Sequence, residues 1–491
     1  MKKMEYNMVK ALTRGLLSVS LLGFLMLPVS CMKNEYGTVD LTMSETPDDP
    51  DNPDDPGYVP ISATSNYDGV LGLYTEADFI RVKTALSNGT APAAVQEEFE
   101  NLKKSSYVSK TYKATPHVQL VRGDATGTTE GKQTYSDAMR DAAAAYQMAL
   151  LWQLTDDDEY AAAATQILMD WANTCTEITS NDADYNLAAG AQGYTFANAA
   201  QMLTEYEGWA EVLQVVFKNW IKSVFGGTNR TFLDNHAKGD GFMRGHKNVD
   251  ESLWDEHYWS NWDMVTLSSY LAIGILCKDD AIVNYVVNYF YDGTGNGMIK
   301  KLMRGTHQDP LGTGELIAQN QESGRDQGHA QMSTAVCLHL CQMAWSLYQG
   351  NPDVKELDFF SADNNAVLHM AEYVALSNLR DGTDNANSVG TFLVTSQQMP
   401  FTEYHHCPGS SASGDDNDHI QLSEEQRGGA RPGWEIVLNR YKSLGSGFVY
   451  SQMMADKIRP EGGAGEPLNR YGTNSGAFDQ IGWNTLMLYQ E

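Results

Sequence analysis

A succession of amphipathic helical segments joined by short turns constrains the fold of this chain most. Ala-rich apolar runs with helical spacing occupy residues 137–155 and 158–175, and only a short acidic turn separates them. The same periodicity predicts further helices over 195–225, 261–279, 281–293, 327–349 and 365–379. Such a series of antiparallel helix pairs predicts an all-α fold, either an (α/α) toroid (an incomplete barrel) or an α-solenoid.

The C-terminal third departs from this pattern. Residues 385–430 are rich in Gly, Ser, Asn and Asp, and so long an irregular stretch inside a compact fold is typical of functional loops. After it, "RPGWEIVLNRYKSLG" predicts one more helix, followed by a closing loop. No separate C-terminal domain is expected.

The N-terminus has the features of a targeting segment. A basic region precedes an apolar run that is too short to favour a membrane span, and a small residue precedes Cys31. Residues 1–31 are therefore expected to be a bacterial lipoprotein signal with a lipidated Cys31; a plain secretory signal is the alternative. Residues 32–64 predict an acidic Pro/Asp-rich tether, and 65–491 a single catalytic domain. The expected location is the outer membrane, on its surface or periplasmic face.

Charge and cysteine content exclude some classes of function. The formal net charge is −29, which argues against nucleic acid as a partner, although a few cations focused in a cleft would suffice for an anionic ligand. The cysteines other than Cys31 lack CxxC spacing and predict buried thiols rather than a metal site. We therefore expect no metal site. As separate expectations, the protein uses no cofactor and is a monomer.

The segment "NQESGRDQGHAQ" at 320–331 is the most unusual local feature. Arg325 and His329 are four residues apart and so share one helix face. Gly328 between them costs about 1 kcal/mol relative to Ala, which a closely approaching neighbour or ligand would explain. The alternative is an ordinary helix start, in which Arg325 pairs with Glu322 or Asp326.

Other clusters supply further Asn, Arg, His and Tyr side chains. The candidates are Tyr258, Trp259 and Asn261 in "HYWSNWDM", Arg244, His246 and Lys247 in "GDGFMRGHKN", Tyr404 and His405 in "PFTEYHHC", and Arg431 in "RGGARPGWE". No serine-nucleophile, zinc-protease or nucleotide-binding motif accompanies them. This set suits β-elimination on a uronic acid polymer, which requires neutralisation of the sugar carboxylate, a base for the C5 proton and an acid for the leaving oxygen. A helix cap and core aromatics would equally explain the "HYWSNWDM" cluster.

Three blocks carry a resemblance to a known family. "SNWDMVTLSSYLAIGILCKDDAIVNYVVNYF", "ESGRDQGHAQMSTAVCLHLCQMAWSLYQG" and "GGARPGWEIVLNRY" resemble the secreted alginate lyase superfamily, and the similarity extends over roughly residues 70–490. It implies an (α/α) toroid and a polysaccharide lyase, acting on alginate or a related polyuronate without a redox cofactor.

The resemblance also implies roles for individual residues. Asn261 matches a carboxylate-neutralising Asn, and Arg325 with His329 matches the Arg–His helix of one branch of the family. Other branches carry a Tyr where this chain has Met332, so the catalytic Tyr is expected elsewhere. Tyr404 is the first choice and Tyr258 the second.

The expected mechanism assigns the remaining candidates. Asn261, with Arg325 or His246, neutralises the substrate carboxylate. His329 or Tyr404 takes the C5 proton, and the Tyr protonates the glycosidic oxygen. Substrate binding is expected from His246, Arg244, Lys247, Trp259, His405 and Arg431.

Two other functions stay open at this point. One is a tethered outer-membrane glycan-binding lipoprotein without chemistry. The other is a toroidal glycoside hydrolase with paired carboxylates as acid and base. The available carboxylates are Glu322, Asp326, Asp263 and Glu435.

Overall fold

The computed structural model describes residues 58–237, 254–255, 258–382, 390–406, 418–429, 431–442, 448–459 and 481–490, with only the backbone described at 236–237, 254–255, 405–406 and 418. The helices are α1 Glu76–Ser87, α2 Ala93–Lys104, α3 Tyr135–Thr155, α4 Asp158–Thr174, α5 Tyr185–Met202, α6 Glu211–Ile221, α7 Gly227–Ala237, α8 Ser260–Cys277, α9 Asp280–Asp292, α10 Ile299–Leu302, α11 Gln327–Gly350, α12 Ala362–Asn378, α13 Trp434–Lys442, α14 Val449–Ile458 and α15 Asn484–Leu488. The strands are β1 Val70–Leu71, β2 Tyr74–Thr75, β3 Gln119–Val121, β4 Glu177–Thr179, β5 Trp254–Asp255, β6 Met303–Gln308, β7 Leu316–Asn320, β8 Tyr404–His406 and β9 Asp418–His419.

An inner row of helices forms the core. Helices α3, α5, α8 and α11 contact one another in that order, and nearly every residue of α5 and α8 is buried. Small and apolar side chains cover all faces of these helices, which is the pattern of a helix without a solvent side. Helices α4, α6 and α9 pack outside this row. The outer face of α6 is apolar, because Val212, Leu213, Val215 and Val216 are exposed there.

Close approach of α5 and α8 depends on a glycine. A Cβ at Gly190 would lie 2.7 Å from Cγ2 of Val265 and 2.9 Å from its carbonyl carbon. The backbones of the two helices are therefore too close for any side chain at this position. The Ala- and Gly-rich sequence of α5 is what lets the inner row pack tightly.

The C-terminal helices close the circuit. Helix α13 contacts α11 and α15, and α15 contacts α1 and α2, which pack against α3. The prediction of an (α/α) toroid is confirmed, since a solenoid would leave its two ends apart.

Two local predictions were wrong, and one pair of strands was not predicted. The segment 195–225 is not one helix, because buried Trp209 packs on Phe217 and interrupts the chain between α5 and α6. The tail holds α13, α14 and α15 rather than a single helix. The antiparallel hairpin of β6 and β7 was not predicted, because the partly buried strand "MRGTHQ" lacks a clear apolar alternation.

Residues 58–64, which the sequence analysis assigns to the tether, pack against the helical domain. Residues 58–66 run along α9, where the side-chain amide of Asn288 accepts from Ile61 N (2.8 Å) and donates to Ile61 O (3.1 Å). Asn284 makes the same pair of bonds with Ala63, at 3.1 and 2.8 Å. Two asparagines thus replace the missing backbone partners of an extended segment.

Two further sequence features have structural counterparts in the described residues. Cys175, Cys337 and Cys341 are buried free thiols and Cys277 is a partly buried one, as predicted, while Cys31 and Cys407 lie outside the described residues. No helix among the described residues has the length and apolarity needed to cross a membrane.

Removing both asparagines should release the N-terminal segment. In Asn284→Ala/Asn288→Ala, the amides of Ile61 and Ala63 should exchange hydrogen about ten-fold faster for each lost partner, while α5 keeps its protection. Hydrogen exchange with mass spectrometry measures both regions. Asn219→Ala, at an exposed position on α6, is the matched control. Unchanged exchange at 58–66 would show that the asparagines do not hold this segment.

Candidate active site

The turn 321–326 between β7 and α11 brings the predicted site residues together. Its backbone is fixed because Ser323 N donates to Asn320 O and Arg325 N donates to Glu322 O, both at 2.9 Å. Ser423 N, from the C-terminal loop, donates to Ser323 O at 3.0 Å. The side chains that leave this turn therefore start from a well-supported backbone.

Glu322 lies at the centre of the site and is 0% exposed. Its Oε1 accepts from Ser260 Oγ (3.0 Å) and from Asn261 N (2.7 Å) at the first turn of α8. Asn261 Nδ2 donates to both carboxylate oxygens at 3.0 Å, and Arg325 Nη1 donates to Oε2 at 3.1 Å. One buried carboxylate thus joins Asn261 and Arg325, which lie far apart in the sequence.

Arg325 is held on three sides. Besides Glu322, its Nε lies 3.6 Å from Asp326 Oδ2, and its guanidinium lies 5.0 Å from the ring centroid of Trp259. Its side chain is 21% exposed. The guanidinium of Arg325 therefore has a fixed orientation, and part of it remains accessible to a ligand.

Asp326 and His329 form a second hydrogen-bonded pair. Asp326 caps α11 by accepting from His329 N at 2.8 Å, and its Oδ2 lies 2.6 Å from His329 Nδ1. Burial opposes ionisation of Asp326, but the hydrogen bonds and charge of His329 and the charge of Arg325 hold the pKa of its carboxyl below its usual value. With Nδ1 engaged, Nε2 is the remaining nitrogen of a side chain that is 35% exposed.

Tyr404 reaches the same turn from β8. Its hydroxyl oxygen accepts from Gly324 N at 3.2 Å, and the guanidinium of Arg304 lies 5.4 Å from its ring centroid. Burial raises the pKa of Tyr404 far above its usual value, and the nearby N–H and Arg304 only partly offset this. The phenol therefore keeps its proton at neutral pH.

Aromatic rings line the space around the turn. The His419 ring lies 4.8 Å from the Tyr404 ring and 5.6 Å from the Trp259 ring, between centroids. Trp259 is only 5% exposed and faces Arg325 and His419. Tyr258, the second choice for the catalytic tyrosine, packs its ring against Phe232 and Trp262.

The sequence also matches a known family. A sequence model of the family described as Alginate lyase matches residues 87–377 of this chain, which is more than half of its 491 residues. This chain belongs to the alginate lyase family. It is a polysaccharide lyase, and its substrate is an anionic polysaccharide.

Solved structures similar to this lyase include two from bacteria. Alginate lyase A1-III from Sphingomonas species A1 is 12% identical, with a TM-score of 0.47 over 89% of this chain and 100% of that one. An alginate lyase from Bacteroides ovatus is 12% identical, with a TM-score of 0.41 over 67% of this chain and 88% of that one. No curated protein matches the sequence.

Not every predicted residue of this lyase is described at the turn 321–326. Arg244, His246, Lys247 and the side chain of His405 lie outside the described residues. Arg431 is partly buried just before α13. Met332, at the position where other branches carry a Tyr, is buried in the core.

Three residues at the site were missed or underrated by the sequence analysis. Glu322 was considered only as a partner of Arg325 or as a hydrolase carboxylate, although it lies within the segment 320–331. Arg304 and His419 lie in segments without a recognisable motif, and only the packing of β6 and β9 brings them beside Tyr404.

Burial lowers the pKa of Arg304 to about 10, so it stays charged at neutral pH. No group of three or more possible metal ligands occurs within the described part of the chain.

Gly328 has a structural explanation. A Cβ at this position would lie 2.1 Å from Oε1 of Gln426, the end of a long side chain that packs over the helix start. A neighbouring side chain, rather than a sugar, therefore occupies the space that the missing Cβ leaves.

Gly328→Ala should consequently be tolerated. Because an exposed Gln426 side chain can swing aside, we expect the free energy of unfolding to stay level or rise by up to about 1 kcal/mol. Urea denaturation measures the change, and Gly328→Ala/Gln426→Ala should show the full gain. A folded Gly328→Ala protein without lyase activity would instead mean that the substrate needs this space.

Proposed function

We propose that this lyase cleaves a polyuronate, either alginate in its polymannuronate form or a related glucuronan, by β-elimination. The observation that carries the proposal is the turn 321–326. It holds an amide and a guanidinium on one buried carboxylate, with an Asp–His pair beside them. These are the groups needed to neutralise a sugar carboxylate and to remove the adjacent proton.

Asn261 and Arg325 neutralise the substrate carboxylate. Removal of the C5 proton places negative charge on the substrate carboxylate, and oriented N–H donors stabilise that charge. Glu322 and Asp326 offset the charge of Arg325, so directed hydrogen bonds matter more here than net positive charge. Arg304 beside Tyr404 adds a further cation.

His329 is the base in this mechanism. Asp326 engages Nδ1, which favours the tautomer with a proton on Nδ1 and a lone pair on Nε2. The Nε2 lone pair takes the C5 proton, a double bond forms between C4 and C5, and the bond from C4 to the glycosidic oxygen breaks.

Tyr404 is the acid. Its oxygen accepts from Gly324 N, which leaves its own O–H free to donate to the departing oxygen. The phenol is protonated at neutral pH and can start as a donor, whereas burial disfavours the phenolate that a base would need in the resting enzyme. Of the two roles that the sequence left open for Tyr404, the environment supports that of acid.

The hydrolase alternative has less support. A hydrolase needs two carboxylates that face the sugar, whereas Glu322 is fully buried among four donor groups. Glu435 is likewise buried and is paired with Arg459. Asp263 is buried and accepts from Tyr289 at 2.8 Å.

One assay separates the functions. The purified soluble domain is incubated with polymannuronate, polyguluronate, glucuronan and pectin, and near-UV absorbance and reducing ends are followed together. A lyase of polymannuronate or glucuronan raises both signals. Reducing ends without absorbance would indicate a hydrolase, and neither signal with any polymer would leave glycan binding alone.

Loss of either proton-transfer group should slow the reaction strongly. His329→Ala and Tyr404→Phe should each lower kcat by about 10²- to 10⁴-fold, because each removes one proton transfer. Initial rates of absorbance increase measure this loss. Tyr285→Phe, which removes one hydroxyl bonded to Asp234 on the outer layer, is the matched control and should keep full activity. A fully active His329→Ala protein would remove His329 from the mechanism.

The mature chain is further proposed to be a monomer held at the outer membrane by lipid on Cys31, with the acidic segment 32–57 as spacer, since residues 58–66 pack along α9. In cells, Cys31→Ser should shift the protein from the detergent-soluble membrane fraction to the soluble fraction. An unchanged distribution would contradict the lipid anchor.

A further inference from the structure

The buried carboxylate of Glu322 has more contacts than a structural role needs. Ser260 Oγ and Asn261 N, at the start of α8, already satisfy one oxygen. Its other donors are the side chains of Asn261 and Arg325, the two groups assigned to the substrate carboxylate. The contacts of Glu322 therefore divide into one set that caps a helix and one set that involves the site.

The geometry at Asn261 shows what the second set achieves. Its Nδ2 lies 3.0 Å from each oxygen of Glu322. The two oxygens of one carboxylate subtend a smaller angle at the nitrogen than its two N–H bonds do, so a single N–H is shared between them. The second N–H then points elsewhere in a fixed direction, and the amide cannot turn its oxygen toward the carboxylate.

The same carboxylate fixes the rotation of Arg325. Only Nη1 donates to Glu322, while the guanidinium carbon lies 5.0 Å from the centroid of the Trp259 ring. The remaining N–H groups of the Arg325 guanidinium therefore point in fixed directions. One buried anion thus orients both of the groups that neutralise the substrate.

Another buried glutamate provides a comparison within the same fold. Glu372 is 3% exposed and accepts from Tyr450 N (2.9 Å) and Ser451 N (2.8 Å) at the start of α14. It caps a helix in the same way as Glu322, but it bonds to neither Asn261 nor Arg325 in the structure.

We propose that Glu322 is a positioning residue, which sets the donor directions of Asn261 and Arg325 toward the substrate carboxylate. This inference rests on the proposed function. It assigns Glu322 no proton transfer and no contact with the sugar.

Glu322→Gln tests it, with Glu372→Gln as the matched control. Glutamine keeps the size of the side chain, but its NH₂ group opposes the N–H groups of Asn261 and Arg325. We expect kcat to fall about 10²-fold with a much smaller change in KM, as when one oriented donor to a developing oxyanion is lost. Both variants should lose comparable thermal stability, and only Glu322→Gln should lose activity.

A double-mutant cycle separates positioning from a purely structural role. If Glu322 acts through Asn261, Glu322→Gln should cost far less kcat in an Asn261→Ala background than in the wild type. Additive losses, or parallel losses of activity and stability in both glutamate variants, would overturn the inference.

A second variant and the activity of the wild-type protein complete the test. If Glu322→Gln does not fold, Ser260→Ala removes one donor to the same carboxylate and leaves Asn261 and Arg325 in place. It should lower kcat by about 3- to 10-fold at constant KM, and this loss should vanish in the Asn261→Ala background. A wild-type protein that forms no unsaturated product would refute the proposed function and this inference with it. An active wild type with unaffected variants would refute the inference alone.

Discussion

The hydrogen bonds of one buried carboxylate, Glu322, connect the fold of this lyase to its site. A buried anion is tolerated only when donors surround it, and here the donors come from the first turn of α8 and from the turn before α11. Those two helices are neighbours in the inner row. A hydrogen bond of 2.8 Å between Ser260 Oγ and Ser333 Oγ joins the start of α8 to α11, close to the turn after β7.

The charge distribution explains how an acidic protein can handle an anionic polymer. The chain carries a formal net charge of −29, and the site itself pairs Arg325 with two carboxylates. Recognition by an excess of positive charge is therefore not what this arrangement offers. The site instead provides N–H groups that point in fixed directions. Because the site is partly buried, each hydrogen bond there is stronger than in water.

The sequence predicted the toroid well because its inner helices carry a strong and unusual signal. Helices that are apolar or small on all faces, such as α5 and α8, have few alternatives to a double-layered helical core. Helix ends were less predictable, as at Trp209, where burial of one large ring breaks a segment that periodicity alone would continue.

The site was predicted in part, for a physical reason. Arg325 and His329 both contact the helix cap Asp326, so their short separation in sequence indicated their proximity. The predicted shared helix face was wrong, because Arg325 lies in the turn before α11. Glu322 joins Asn261 across a long stretch of sequence, and β8 and β9 bring Tyr404 and His419 to the same turn. Contacts of this kind follow from the closing of the toroid and leave no pattern in the local sequence.

The central claim is that these groups perform an elimination, and the mass of the products tests it most directly. Mass spectrometry of a defined polymannuronate oligomer digested by the wild-type protein measures the two fragments of each cleavage. Elimination adds no water, so the account predicts that the two masses sum to that of the parent oligomer. A sum that exceeds the parent by one water would contradict it.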